Sequence, residues 1–143
     1  MKTNPNRQQN KPTRLPVDRN RWSESSQRTY ATIQFYEDIA WTCRGCGQSD
    51  VFTAQEQKQA FEVEQIYIYW HPCLCEACSH KKQSTAENMR RYETHWKANK
   101  QELRHDLAFL KQWVVLLETY AQLSGRKNDD LIQMLRTLIR DNL

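Results

Sequence analysis

Residues 30–72 contain two short runs of β-branched and aromatic residues. The first lies between Tyr30 and Thr42, and the second covers 66–70 and is followed by Pro72. Such runs are typical of short strands, and a proline commonly marks a strand's limit. The pattern predicts strands within 30–42 and over 66–70.

A helix is predicted between these two runs. Thr53 and Glu56 have the spacing of a capping box, in which each side chain accepts a hydrogen bond from the other residue's backbone N–H. This motif begins a helix, which we predict over 54–64. The order is therefore strand, helix, strand, with a cysteine pair after each strand.

Beyond residue 84 the apolar residues recur at spacings of three and four, which is typical of an amphipathic helix. This apolar stripe consists of Met89, Tyr92, Trp96, Leu103, Leu107, Leu110, Val114, Leu117 and Ala121. It predicts one helix over 85–123, with a kink near Asn99-Lys100. Gly125 is a helix stop signal, and 128–130 offer N-cap residues for a second helix to the C-terminus.

The two predicted helices form a helical hairpin. Because the second helix is much shorter than the first, it covers only the distal part of the apolar stripe. We therefore expect the proximal part, from Met89 to Leu103, to pack on the preceding module or on another chain.

Residues 1–29 differ in composition from the rest of the chain. They hold three of the four prolines and seven Lys/Arg against Asp18 and Glu24, a net charge of +5. Such a segment is predicted to be a disordered basic arm. The alternative is a solvated tail that only aids solubility. The predicted domains are the arm over 1–29, a metal-binding module over 30–83 and the helical hairpin over 84–143.

The whole chain is poor in apolar residues for its length. With 143 residues, 27% of them charged, and a mean hydropathy of −0.92, it can bury only a small core, which usually needs a metal or disulfides. It has no apolar run for a membrane span and no secretory signal, so we expect a cytoplasmic protein without membrane contact. Cytosolic thiols stay reduced, which favours metal or redox chemistry over disulfides.

Four of the five cysteines form two Cys-x-x-Cys pairs, Cys43 with Cys46 and Cys75 with Cys78. Two such pairs supply the four thiolates of a tetrahedral structural zinc site. The 28 residues between the pairs are accounted for by the predicted helix and strand. We therefore predict one Zn²⁺ per chain, held by these four cysteines.

Other ligand choices remain open at this point. Cys73 lies two residues before Cys75, so it could replace Cys75 in the second pair or pair with it. His71 and His80 flank this pair and offer substitute ligands or hydrogen bonds to the ligands. If Cys73 is not a ligand, it is either a small buried residue or a redox-sensitive thiol.

The predicted fold class is α+β, with a small zinc-knuckle module, treble-clef or zinc-ribbon-like, followed by the helical hairpin. Residues 38–78 also resemble the zinc-ribbon (zinc-binding) domain family of small uncharacterised bacterial proteins. The resemblance rests on Cys43-Arg44-Gly45-Cys46-Gly47, on Phe52-Thr53-Ala54-Gln55-Glu56-Gln57, and on Pro72 with Cys75-Glu76-Ala77-Cys78. It implies zinc at the four matched cysteines and no particular activity. The chain has Leu74 where the family usually has a basic residue, and residues after 84 lie outside the resemblance.

Basic residues suggest a first function, contact with nucleic acid or a ribonucleoprotein. The candidate contact residues are Lys81, Lys82, Arg90, Arg91 and Lys97, together with the basic arm. Alternatively, these charges only solvate a helix face, with Glu93 and Lys97 forming an i,i+4 ion pair.

The near-heptad stripe suggests a second function, a protein-interaction or oligomerisation module that uses the helix 85–123. An enzyme is not expected, because four thiolates leave no coordination position for water and the chain has no nucleophile-base or nucleotide-binding motif. No small-molecule substrate is expected either.

Overall fold

The computed structural model describes residues 14–143, which form two compact units. The first unit covers the described residues up to Cys75 and holds four short strands. The second unit, Glu76–Leu143, consists of helices. The fold class is therefore α+β, as the sequence predicts. Within residues 14–143 no helix combines the length and the apolar character that crossing a membrane requires.

The strands of the first unit form two antiparallel pairs. β1 (Arg14–Pro16) pairs with β2 (Phe35–Glu37), and β3 (Ile39–Thr42) pairs with β4 (Ser49–Phe52). β2 and β3 confirm the strands predicted within 30–42. Neither β1 nor β4 is predicted from the sequence, because three or four residues carry too little alternation to reveal a strand without its partner.

The helix predicted over 54–64 is confirmed. α2 (Ala54–Lys58) continues into a π-helical turn over Gln59–Val63. The capping box is formed: Thr53 Oγ1 accepts from the Glu56 N–H at 3.1 Å, and the Glu56 carboxylate accepts from the Thr53 N–H. Asp38 adds a further cap, since its Oδ1 accepts the N–H of Ala54 at 2.8 Å.

The strand predicted over 66–70 is wrong, because this segment forms a loop. Ile68 is buried and its N–H donates to Ser26 Oγ at 2.9 Å, while the Trp70 N–H closes a turn on the Tyr67 carbonyl. The backbone groups that would join a sheet are thus used by a side chain and a local turn. The residue types favour a strand, but within residues 14–143 this segment pairs with no strand.

The predicted disorder of the basic arm is corrected for residues 14–28, which form β1, a 3₁₀ turn at Arg19–Arg21 and α1 (Glu24–Gln27). Trp22 is 1% exposed, and its indole N–H donates to the Tyr36 hydroxyl at 2.8 Å. Burying this large side chain offsets the cost of ordering a polar segment. Residues 1–13 of the predicted arm lie outside the described residues.

Trp22 belongs to the hydrophobic core of the first unit. The buried members of this core are Trp22, Tyr36, Phe52, Ala54, Ala60, Phe61 and Ile68. Leu15 and Val17 pack against it. Residues before Tyr30, beyond the predicted start of the module, therefore complete its core.

A buried carboxylate ties the N-terminal segment to the π-helical turn. The Glu62 side chain is 1% exposed and accepts hydrogen bonds from Lys58 Nζ at 3.1 Å and from the Asp18 N–H at 3.2 Å. Lys58 Nζ also donates to the Pro16 carbonyl at 2.8 Å. These charge-assisted hydrogen bonds satisfy Glu62 and fix residues 16–18 against the helix.

The second unit contains α3 (Glu76–Leu103), α4 (Leu107–Ser124) and α5 (Asp129–Asp141). Asn99 has non-helical dihedral angles, φ −133° and ψ 35°, which confirms the predicted kink. The chain also leaves the helix at 104–106, so the predicted hairpin of two helices is corrected to three helices. α3 begins at Glu76, and the predicted domain boundary at 83/84 therefore falls inside it.

Five of the nine residues of the apolar stripe are buried within this unit, namely Trp96, Leu103, Leu110, Val114 and Leu117. The core consists of Trp96, Leu103, Leu110, Trp113, Val114, Leu117, Ile132 and Leu135. Met89 and Tyr92 pack against it, and Tyr92 stacks on Phe109 with ring centroids 4.7 Å apart. The proximal part of the stripe therefore packs on α4, and its predicted packing on the module or another chain is corrected. The break at 104–106 allows α4 to fold back on α3.

Candidate metal centre

Two local structures present the four predicted cysteines. Cys43 follows β3 and Cys46 lies in the tight turn between β3 and β4. The Cys43 N–H donates to the Gln48 carbonyl at 2.8 Å, and Gly47 closes the turn with a φ of 76°, a conformation that glycine adopts without strain. Cys75 immediately precedes α3, and Cys78 lies in its first turn.

The four sulfur atoms come together as the sequence predicts. The Sγ atoms of Cys43, Cys46, Cys75 and Cys78 all lie within 4.8 Å of one another, and Cys46 Sγ and Cys75 Sγ are 3.8 Å apart. Ligands about 2.3 Å from one tetrahedral metal ion are themselves separated by about 3.8 Å. The cluster therefore fits a single metal ion with four sulfur ligands.

The surroundings of the Cys43 sulfur favour its thiolate form. Burial raises the pKa of the Cys43 thiol, but hydrogen bonds to its sulfur, chiefly from the backbone N–H groups of Cys75, Cys46 and Gly45, outweigh this effect and lower the pKa to about 6. The Cys75 N–H lies 3.2 Å from Cys43 Sγ. The second pair sits at the N-terminal end of α3, where the helix dipole stabilises negative charge.

Cys46 differs from the other three clustered cysteines in its exposure to solvent. Cys43, Cys75 and Cys78 are 2%, 5% and 9% exposed, whereas Cys46 is an exposed residue. Cys46 is thus the most exposed of the four clustered cysteines.

The other ligand candidates stand outside the cluster. Cys73 is half-buried, and its carbonyl accepts the Arg44 N–H at 2.8 Å, which joins the two knuckles through their backbones. His71 is exposed, and His80 lies 3.8 Å from the exposed Glu76 carboxylate. Neither Cys73 nor these histidines belongs to the group of ligand atoms that could hold one ion in the described part of the chain.

Part of the resemblance motif has a structural role that zinc binding does not require. The buried side-chain amide of Gln57 donates to the Phe52 carbonyl at 2.9 Å and to the Glu37 carbonyl. Together with the capping box, this amide fixes α2 against β2 and β4. Residue types and spacing reveal the capping box but not the partners of Gln57 or Asp38, which are distant in sequence.

The predicted nucleic-acid contact residues lie along α3. Lys81, Arg90, Arg91 and Lys97 are exposed and Lys82 is half-exposed. Lys97 Nζ forms the predicted i,i+4 ion pair with Glu93 at 3.1 Å. Arg90 and Arg91 line one shallow depression of about 590 Å³ with Glu87, Thr94, His95 and Ala98. The structure thus brings two of the five together at one depression.

Comparison with known proteins supports the class of module that this geometry indicates. Residues 37–87 match a family model described as a probable treble clef domain, which includes all four clustered cysteines. A knuckle on a β-hairpin followed by a second cysteine pair at the start of a helix agrees with that description. No curated protein and no solved structure matches the chain. Of the two forms expected from the sequence, residues 37–87 are thus similar to the treble clef.

Proposed function

We propose that the protein is a non-enzymatic module whose treble clef holds one structural Zn²⁺. The supporting observation is the donor set, four cysteine sulfur atoms spaced for one tetrahedral ion. Thiolate sets of this kind select zinc or iron rather than magnesium or calcium. Four protein ligands leave no position for a reactive water, so the ion has a structural role and no catalytic one.

Native mass spectrometry of the freshly purified full-length chain tests the zinc proposal. We expect one zinc per chain and a broader charge-state distribution after chelation, because metal binding and folding are coupled. Cys75→Ser should lose the zinc, whereas the control Cys73→Ser should retain it. A chain without metal, an iron–sulfur mass, or loss of zinc from the Cys73 variant alone would contradict this assignment.

We also propose that the module contacts nucleic acid or a ribonucleoprotein. Basic residues are unevenly distributed: residues 76–143 carry 12 Lys/Arg against 9 Asp/Glu, whereas residues 14–75 carry 6 against 8. Residues 1–13 add Lys2, Arg7 and Lys11 and no acidic residue. Basic residues thus outnumber acidic ones in residues 76–143 and in residues 1–13. Such positive charge can displace counterions from the phosphates of a nucleic acid.

The supporting surface feature on the helices is the pair Arg90 and Arg91. Both are exposed, and within residues 14–143 neither forms an ion pair. A guanidinium group can donate two parallel hydrogen bonds to one phosphate. Two adjacent arginines at a shallow depression can therefore bind two neighbouring phosphates of one strand. Lys97 is a weaker candidate, since Glu93 already compensates its charge.

Fluorescence anisotropy with a labelled single-stranded RNA and a DNA duplex of about 20 nucleotides tests this contact. Arg90→Glu/Arg91→Glu should weaken binding at least tenfold and reduce the dependence on salt, because two phosphate contacts are lost. The control Lys111→Glu/Arg126→Glu changes the charge equally elsewhere in the helical unit and should alter affinity less than twofold. Absence of binding by the wild type at low salt would exclude the proposal.

The alternative function is a protein-interaction or oligomerisation module that uses helix 85–123. It has less support than the nucleic-acid proposal, because the buried residues of the stripe on α3 and α4 pack together and with α5 within the chain. A concentration-dependent mass in solution would restore this alternative.

A further inference from the structure

Cys46 differs from the other three clustered cysteines in its access to solvent. It is exposed, whereas Cys43, Cys75 and Cys78 are at most 9% exposed. Cys46 is therefore the clustered cysteine that a diffusing oxidant reaches most readily. The thiolate is the nucleophilic form of cysteine.

A second thiol stands within reach of Cys46. Cys75 Sγ lies 3.8 Å away and is 5% exposed, so it is protected from direct attack but is positioned to react with an oxidised Cys46. Oxidised cysteines condense with a neighbouring thiol to form a disulfide. The cluster therefore places an exposed cysteine next to a buried one.

We propose that Cys46 is a modification site at which a hydroperoxide oxidises the metal centre, and that Cys75 completes the reaction by forming a Cys46–Cys75 disulfide with release of the ion. The inference rests on the proposed zinc occupancy. It assigns the exposed ligand a second role, as the position that makes metal binding sensitive to peroxide.

The reaction consumes two thiolates and one hydroperoxide. The Cys46 thiolate attacks one peroxide oxygen, the O–O bond breaks, and the products are a sulfenic acid and an alkoxide or hydroxide that takes a proton. The Cys75 thiolate then attacks the Cys46 sulfur and expels hydroxide, which becomes water. Two sulfur atoms are oxidised by one electron each, and the peroxide is reduced by two electrons.

The disulfide removes two of the four ligands. Cys43 and Cys78 alone do not form a tetrahedral site, so the metal affinity falls and the ion is lost. Reduction by a dithiol regenerates both thiolates and allows the ion to bind again. Zinc occupancy of the site would then depend reversibly on the peroxide concentration. Oxidation of a cysteine to sulfinic acid, by contrast, would not be reversed by a dithiol.

Zinc release from the full-length zinc-loaded chain tests the proposal. Hydrogen peroxide is added, free zinc is followed with a chromogenic chelator, and the disulfide is located by peptide mass spectrometry. We expect release in step with a Cys46–Cys75 disulfide and recovery of zinc binding after treatment with dithiothreitol. A disulfide between any other pair, or release without a disulfide, would overturn the proposal.

Two variants separate Cys46 from the rest of the chain. Cys46→His keeps a zinc ligand but removes the oxidisable sulfur, and it should slow release at least tenfold. Cys73→Ser removes the half-buried cysteine outside the cluster and should leave the rate unchanged. A rate that depends on Cys73, or not on Cys46, would refute the assignment. If Cys46→His fails to bind zinc, disulfide mapping in the wild type decides.

Failure of this inference is distinguishable from failure of the zinc proposal. Purified chain that carries no zinc in any preparation would disprove the zinc occupancy itself. Chain that carries one zinc and keeps it, with Cys46 reduced, in a large excess of peroxide would disprove only the oxidation site.

Discussion

At the scale of single residues, Tyr36 is the side chain whose environment most clearly alters its chemistry. Burial raises its pKa well above the ordinary value of about 10, and the hydrogen bond and charge of Glu62 raise it further. The hydrogen bond from the Trp22 indole N–H acts in the opposite direction. The folded protein therefore keeps this hydroxyl protonated at pH values where the unfolded chain loses the proton.

This difference predicts a loss of stability in alkali. Below pH 10 the Tyr36 hydroxyl is protonated in both the folded and the unfolded state, so the contribution of Tyr36 to the free energy of unfolding is fully present. Above pH 10 only the folded state keeps it, and the free energy of unfolding should fall by up to about 1.4 kcal/mol per pH unit from this group. Urea titrations at pH 9 and pH 11 measure this fall. Tyr36→Phe should show a shallower decline, and equal declines would contradict the prediction.

At the scale of elements, the break between α3 and α4 decides how the helical unit is built. Asp106 is the N-cap of α4, and its side chain accepts the N–H of Phe109 at 3.1 Å. This cap favours a new helix start at Leu107 rather than a continuation of α3. The break in turn places Trp113 against Trp96, with ring centroids 5.7 Å apart.

Replacement of this cap tests its contribution. Asp106→Ala should destabilise the protein by about 0.5–2 kcal/mol, because the Phe109 N–H loses its partner. Asp106→Ser keeps a capping oxygen and should cost only a few tenths of a kcal/mol. Chemical denaturation followed by circular dichroism at 222 nm measures both changes. Equal stabilities of the two variants would show that the cap does not hold the break.

At the scale of the whole molecule, the extent of the treble-clef unit differs from the matched region. The family match begins at residue 37, yet Trp22 and Tyr36 are each 1% exposed in its core. Leu15 of β1 also lies opposite Tyr36. The matched region therefore depends on residues before it for a complete core.

Truncation of this core residue tests that dependence. Trp22→Ala should destabilise the protein by about 3–5 kcal/mol, because it leaves a cavity and removes the hydrogen bond to Tyr36. Tyr30→Ala is the matched control, since Tyr30 is 97% exposed, and its effect should stay within about 0.5 kcal/mol. Thermal unfolding of the zinc-loaded variants measures both. Two small effects would favour the disordered arm that the composition predicts.

The sequence alone determined the features that depend on neighbouring residues. The Cys-x-x-Cys spacing identifies the four clustered cysteines, because a tight turn delivers two sulfur atoms to one ion. The capping box locates the start of α2, and Gly125 locates the end of α4, because both act within one helical turn. Asn99 marks the kink in α3, which is also a local feature of the backbone.

Only the tertiary structure decided the features that depend on distant residues. Leu15 becomes part of a strand because it meets Tyr36, and 66–70 becomes a loop because Ile68 bonds to Ser26 rather than to another strand. The helical stripe indicates an apolar face but not that its two halves, on α3 and α4, pack against each other. Exposure likewise distinguishes Cys46 from three chemically identical ligands. Each of these features depends on contacts between residues that are far apart in the chain. The spacing of residue types within a short segment does not reveal such contacts.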